Sequence, residues 1–281
     1  MPQSDPPLIS IIVTCKDRRH HLEQTLPSLL AQSKAEVVVV DYACSQGTAG
    51  WVCEQYPVAR VFSVSGDPHF HLTRARNIGA ANARGAFLLF VDADIALEGD
   101  LGAWIATQAR TDHFYTASNP RSASLTGTVV CDRQVFDQVG GYDEAFRGWG
   151  WEDYDLYHRF AALPLREGHF SSTFLRAIPH GNEERQFTAE RGGIGSRDKA
   201  MTVSRLYTNL KTDAFRLTGI RMDLKTRLQI MDSVKQAVRK LESLPPGETH
   251  ELKLKLGSFR NETGHFCERQ LVYQLNGGKK T

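Results

Sequence analysis

Two carboxylates stand one residue apart at the end of an apolar run: Phe87 to Ile95 reads FLLFVDADI, with Asp92 and Asp94 flanking Ala93. Side chains two apart on an extended segment point the same way, so the pair can converge on one divalent cation, or on a cation and a sugar hydroxyl. A solvated loop after a strand carries the same triplet, and the spacing alone leaves both readings open. A second concentration lies in Gly148 to Phe160, GWGWEDYDLYHRF. Gly148 and Gly150 permit tight backbone geometry, Trp149 and Trp151 offer flat faces that pack on a sugar ring, and Glu152, Asp153 and Asp155 open a helix. The helix dipole favours acidic residues in a first turn whatever their role. It does not explain tryptophans interleaved with glycines, which weights the stretch toward a site.

Strands are needed to deliver these groups. Leu8 to Thr14 (LISIIVT) and Glu36 to Asp41 (EVVVVD) are continuous apolar, β-branched runs, as expected of strands buried on both faces of a parallel sheet. Between them, His20 to Gln32 places Leu22, Leu26, Leu29 and Leu30 on one helical face, with Pro27 kinking or interrupting it. The alternation continues with a helix over 48–55, a strand over 60–64, a helix over 74–83 and a strand over 86–91. Such an open α/β sheet binds ligands at the carboxyl ends of its strands. Lys16, Asp17 and Arg18, Asp41, and Asp92 with Asp94 all follow strands there.

Beyond Asp94 the rhythm changes. A helix is expected over 101–109, short strands near Phe114 and over 128–131, a helix over 133–139 and another from Glu152. From Arg197 the chain reads mostly helical, and over 224–244 Leu224, Leu228, Met231, Val234, Val238 and Leu241 share one face before Pro245 and Pro246 stop the helix. Alternating segments over 251–256 and 270–275 predict a terminal β-hairpin. The apolar stripe reads as packing or as a dimer or partner contact. The basic Lys225, Arg227, Lys235, Arg239 and Lys240 read as a solvated face, or as one that touches an anionic membrane.

With 281 residues a sizeable core is feasible, and a net charge of +2, from 34 basic and 32 acidic side chains, argues against a nucleic-acid coat. No run approaches the ~20 apolar residues of a bilayer span, and the N-terminus lacks a signal-type stretch, so a cytoplasmic location is expected. The five cysteines have no zinc-type spacing, which fits reduced thiols.

Four segments in order, VTCKDRRHHLEQTLPSLLAQ, VVVVDYACSQGT, LTRARNIGA with ARGAFLLFVDAD, and GGYDEAFRGWGWEDYDL, resemble family 2 glycosyltransferases. The last of them, with His180 in IPHGNEE, is similar to the β-1,4-galactosyltransferase branch and its bacterial relatives. The resemblance covers about 8–180 and implies a GT-A fold: an α/β, Rossmann-like open mixed sheet flanked by helices. It puts a catalytic domain at 1–221, with a nucleotide-binding half at 8–95 and an acceptor and metal half at 96–221. A helical and short β extension follows at 222–281. It implies an inverting, metal-dependent transfer from a UDP-sugar to an acceptor hydroxyl.

Residue by residue, the resemblance makes Asp94 a direct ligand of Mn²⁺ or Mg²⁺. It places Asp92 nearer the ribose or a metal-bound water, and has His180 complete the site. An imidazole ligand favours Mn²⁺. Ala177 departs from the pattern, standing where a thioether ligand is expected. Asp153 matches the catalytic base, and Glu152 would hold donor or acceptor hydroxyls. Trp149 would lie under the sugars, and Trp151 replaces a family glycine on the acceptor side. Thr14, Cys15, Lys16 and Arg18 match a loop around the uridine, Asp41 a position near the base, and Ala93 the middle of the DxD. Arg74 fits a basic position facing the phosphates, although of Arg74 and Arg76 one reaches phosphate while the other pairs on the surface. A small residue near Ser124 leaves room for an N-acetyl group, which makes Gal or GalNAc the expected sugar. Homo-oligomerisation and peripheral membrane contact are compatible with this reading.

Two other classes compete. A sugar nucleotidyltransferase shares the α/β rhythm, but its glycine-rich basic loop is absent from VTCKDRRHH. A carbohydrate-binding protein on a degenerate transferase fold is disfavoured because both DxD carboxylates, Glu152, Asp153 and His180 are all present.

Overall fold

The buried strands of the first half order themselves into one sheet. In the computed structural model, which describes residues 8–67, 69–118, 125–147, 150–181, 197–260, 262–263 and 265–277, β1 (Ile9–Cys15) lies between β2 (Ala35–Tyr42) and β4 (Phe87–Asp92), parallel to both. β3 (Arg60–Val64) extends the parallel set beside β2. On the other side β7 (Val129–Asp132) runs antiparallel to β4, followed by β6 (His113–Ser118) and β8 (Arg166–Ser171). The order is β3-β2-β1-β4-β7-β6-β8, a mixed α/β sheet as expected.

Because strand side chains alternate, the sheet has two apolar faces. Ile9, Ile11, Val13, Leu89 and Val91 pack with Leu22, Leu26 and Leu29 of α1 (Arg19–Leu30) and with Leu101 and Ile105 of α4 (Leu101–Gln108). Ile12, Val38, Leu88 and Phe90 face Ala80 of α3 (Leu72–Ala81), Phe136 of α5 (Arg133–Val139) and Leu156 and Phe160 of α6 (Glu152–Ala161). The helix α1 runs through Pro27 without a break, held by its three buried leucines. Gly79 lets α3 approach the sheet: a Cβ there would fall 2.4 Å from the Ile12 side chain.

Two compact units divide the chain, 1–147 with 152–188, and 148–151 with 189–281. In the second, α7 (Arg197–Thr218) packs against α8 (Leu224–Ser243), and β10 (Thr249–Arg260) pairs with β11 (Phe266–Asn276) as an antiparallel hairpin. The helix α7 therefore groups with the elements after 222, not with the sheet. Among the described residues no helix is long and apolar enough to cross a membrane.

Candidate active site

The DxD aspartates part company. Asp92 is the last residue of β4, whereas Ala93 and Asp94 form a turn into β5 (Ile95–Leu97), so the two-residue alternation of a strand stops before Asp94. β5 pairs antiparallel with β9 (Leu175–Ala177), Ile95 opposite Ala177, and Ile178 N–H donates to the Asp94 carbonyl at 2.7 Å. This ladder brings His180 back to the turn. His180 Nε2 lies 2.7 Å from Asp94 Oδ2, and both side chains are more than nine-tenths buried. Arg18 Nη1 stands 3.9 Å from the same oxygen, and the His21 ring of α1 sits 5.3 Å from the His180 ring. Thr25 of α1 fixes the turn by donating to the Ala93 carbonyl at 2.8 Å.

Asp92 turns instead to a buried cation. Arg76, on α3 and 2 % exposed, donates through Nη2 to Asp92 Oδ1 at 2.8 Å and through Nη1 to Asp153 Oδ1 at 2.6 Å. Tyr142 completes the cluster: its ring lies 4.9 Å from the guanidinium, and its hydroxyl donates to Asp153 Oδ1 at 3.3 Å. Asn77 holds Tyr142 in place by donating to its carbonyl and accepting from its N–H. Gly127 packs closely against the cluster, because a Cβ there would stand 3.2 Å from Asp153 Oδ2, and 3.3 Å from both Arg76 Nη2 and Asp92 Oδ2.

Burial and charge set the protonation of this cluster. Burial opposes the Arg76 charge, but Asp153 and Asp92 more than offset it and hold the guanidinium firmly charged. Burial pushes Asp153 above the usual carboxylate range against the pull of Arg76. Burial, with Asp153 adding, pushes Glu152 up to about 8. Glu152 Oε2 is buried with no hydrogen-bond partner among the described residues. Asp155, third in this acidic turn, is turned away from the cluster. It pairs with Arg159 at 2.9 Å, which in turn donates to the Val139 and Gly141 carbonyls and ties α6 to the end of α5.

The strand-end residues are largely buried or engaged by neighbouring backbone. Thr14 and Cys15 are buried at the end of β1, and Lys16 donates to the Ala43 carbonyl. Both Asp41 oxygens are taken by backbone, accepting from Cys44 N–H and Ala49 N–H at 2.9 Å each, so Asp41 shapes the loop before α2 (Thr48–Gln55). Arg74 is exposed, 3.9 Å from Asp67. Its neighbour Arg76 is the one at the centre, a role readable from Thr73, Arg76 and Ala80 sharing the inward face of α3. In the second unit, Trp151 adopts a left-handed backbone with φ 75° and carries the Arg205 guanidinium 5.2 Å over its ring. Trp149 and Ser124 lie outside the described residues.

The donor chemistry of Asp94 and His180 fits a divalent cation. His180 Nδ1 faces the Gly181 carbonyl at 3.1 Å and Nε2 faces a carboxylate oxygen, so one proton or one cation must lie between Nε2 and Asp94. Among the described residues no three such groups form a ready metal cluster. Asp92 is committed to Arg76, and the Ala177 side chain offers no donor atom.

Residues 10–142 match the model of glycosyl transferase family 2, and residues 111–183 match a model described as the N-terminal domain of galactosyltransferase. The chain carries a family 2 glycosyltransferase domain. Solved structures share its GT-A fold. The mannosyltransferase PcManGT from Pyrobaculum calidifontis, in complex with GDP-Man and Mn²⁺, is 16% identical with a TM-score of 0.52, over 86% of this chain and 76% of that one. S. aureus TarS 1-349 in complex with UDP-GlcNAc is 17% identical with a TM-score of 0.57, over 82% and 72%. No curated protein matches the chain. Within this glycosyltransferase the cluster around Arg76 spans both matched regions, since Arg76 and Asp92 fall in the first and Asp153 in the second.

Proposed function

We propose that the protein is an inverting glycosyltransferase that moves a hexose or N-acetylhexosamine, Gal or GalNAc foremost, from a UDP-sugar to an acceptor hydroxyl. The observation that carries this reading is Asp153. Its Oδ1 is engaged by Arg76 and Tyr142, its Oδ2 stands beside Gly127 with 15% of the side chain still exposed, and burial raises its proton affinity. A carboxylate so held acts as a general base. Oδ2 takes the acceptor hydroxyl proton as that oxygen bonds to the anomeric carbon. The bond from that carbon to the diphosphate breaks, and UDP leaves with the electron pair.

Asp94 and His180 would hold a divalent cation, and the mixed oxygen and nitrogen donors favour Mn²⁺ over Mg²⁺. Such an ion neutralises charge on the diphosphate as it departs. The residues of the chain do the rest. Arg76 keeps Asp153 oriented, and Glu152, largely protonated near neutral pH, can donate as well as accept toward a sugar hydroxyl. Thr14, Cys15, Lys16 and Arg18 line the uridine side, with Asp41 shaping the neighbouring loop. The donor complexes of the two structural relatives, one with Mn²⁺, support nucleotide-sugar use.

Release of nucleoside diphosphate is the decisive assay, run with UDP-Gal, UDP-GalNAc, UDP-Glc, UDP-GlcNAc and GDP-Man, with and without Mn²⁺. Mn²⁺-stimulated release from UDP-Gal or UDP-GalNAc is expected to be fastest. Turnover of GDP-Man alone would overturn the donor assignment, and synthesis of a UDP-sugar from UTP and a sugar phosphate would overturn the reaction.

A further inference from the structure

Two cysteines that glycosyl transfer does not use as nucleophiles meet between the loops that follow β1 and β2. The register of these strands sets Cys15 opposite Asp41, and Asp41 in turn fixes Cys44 through its N–H. Asp17 and Ala43 take left-handed backbones, φ 53° and 51°, which turn the two loops toward each other. Donors converge on the Cys44 sulfur as a result. Asp17 N–H donates at 3.2 Å and the Thr48 hydroxyl at 2.9 Å. The Cys15 sulfur lies 3.8 Å from the same Thr48 oxygen. The charged neighbours are otherwise engaged: Lys16 donates to the Ala43 carbonyl, the Asp17 carboxylate accepts from Ser45, and Asp41 accepts from Cys44 and Ala49 N–H.

Donors ringed around a sulfur stabilise its anion. The Cys15 thiol, chief among them, together with Thr48 and two backbone N–H groups, outweighs burial and pulls the Cys44 thiol down to about 5. Donation to Cys44 and burial push Cys15 the other way. Cys44 is partly exposed and Cys15 buried, so the pair has an accessible attacking thiolate and a sheltered second thiol beside it.

We propose that Cys44 and Cys15 form a thiol–disulfide site at the nucleotide end of the sheet that takes small-molecule disulfides such as oxidised glutathione. The Cys44 thiolate attacks one sulfur of the small disulfide, whose S–S bond breaks and releases one thiolate. Cys15 gives its proton to that thiolate, its sulfur bonds to Cys44, and the second small thiolate departs. The protein pair loses two electrons and the small disulfide gains them. The new bond removes both sulfurs from the hydrogen-bond set that holds Asp17 and Thr48, and so disturbs the loop carrying Lys16 and Arg18. Weaker donor binding is its consequence, and that consequence alone rests on the glycosyl-transfer reading.

Cys53 is a control within the same chain, because it is exposed and has no such donor set among the described residues. In the folded full-length protein at about pH 6, iodoacetamide is expected to label Cys44 before Cys53, read by peptide mass spectrometry. Oxidised glutathione should then yield a chain about 2 Da lighter with a peptide joining Cys15 to Cys44, while Cys15→Ser should stop at a glutathione adduct on Cys44. Faster labelling of Cys53, or a wild-type chain that stops at the adduct, overturns the site. UDP affinity is expected to fall about tenfold in the oxidised chain and to return with dithiothreitol. Unchanged affinity overturns the coupling to the donor site. No UDP binding in either state would count against the glycosyl-transfer reading and leave the disulfide result standing.

Discussion

Arg76 Nη1 donates to Asp153 Oδ1 at 2.6 Å, joining α3 to the first turn of α6 across 77 residues of sequence. The same guanidinium holds Asp92, so one buried cation answers two carboxylates. Removing one partner of a buried ion pair costs about 3–5 kcal/mol, since the remaining charge stays buried and unpaired. Asp92 is a third exposed, which places Arg76→Met at the lower end, about 3 kcal/mol by denaturant unfolding. Arg76→Lys should recover part of that stability and little turnover, because a single ammonium cannot reproduce the planar fork. A Met variant as stable as the parent would show that the cluster is solvated.

Asp153→Asn keeps the shape of the side chain and removes the base. Turnover at saturating donor and acceptor is expected to fall about 10²- to 10⁴-fold, with UDP-sugar affinity measured by calorimetry largely kept. In the parent enzyme the rate should rise with pH through a value above the ordinary carboxylate range, since burial raises Asp153 and the base acts only when deprotonated. A pH–rate profile that is flat through that region would move the base elsewhere.

Asp94→Ala and His180→Ala test the cation site without relying on turnover. Each removes a charged or ligating group worth about 1.5–3 kcal/mol, so the Mn²⁺-dependent gain in UDP affinity should shrink roughly 10- to 100-fold. Asp92→Asn should leave most of that gain, because Asp92 is committed to Arg76. Equal losses in all three variants would mean that ligand binding redraws the turn at Ala93.

The sheet was legible because buried strands and amphipathic helices state their periods locally: the helices over 48–55 and 133–139 fall where the pattern places them. Asp153, Asp94 and His180 were legible as motif positions. The division of labour among them was not. Reading Asp92 and Asp94 as one convergent pair assumes an extended backbone, and the chain turns at Ala93. Arg74 and Arg76 are equally basic, and only the inward face of α3 separates them. The closeness of Gly127 to Asp153 depends on the loop before β7 meeting α6, which no local pattern encodes.

Glu152 carries a pH dependence of stability. Its folded value of about 8 lies above the ordinary 4.5, so the protonated acid is favoured by the fold. Its contribution is fully present below 4.5 and is lost as pH rises through about 8. Across that window each pH unit can remove at most about 1.4 kcal/mol. Glu152→Gln should flatten the fall in melting temperature between these limits, and parallel profiles for the two proteins would refute the raised value.

Gly127 offers the sharpest test of the geometry, because it has no chemistry of its own. A methyl group there would crowd Asp153 Oδ2 at 3.2 Å, with Arg76 Nη2 and Asp92 Oδ2 at 3.3 Å. The three side chains are tied together by short charge-assisted bonds from Arg76 to the Oδ1 atoms of Asp153 and Asp92, so the cluster must move as a unit by a few tenths of an ångström. Misplacement of a catalytic group by about 1 Å can cost on the order of 10²-fold in rate, and a shift of this size should cost about tenfold. Gly127→Ala is therefore expected to lower kcat about tenfold, while donor affinity and melting temperature change little. A variant with full activity would show that Asp153 reaches its substrate from another side, and one that loses donor binding instead would place Gly127 in the nucleotide pocket.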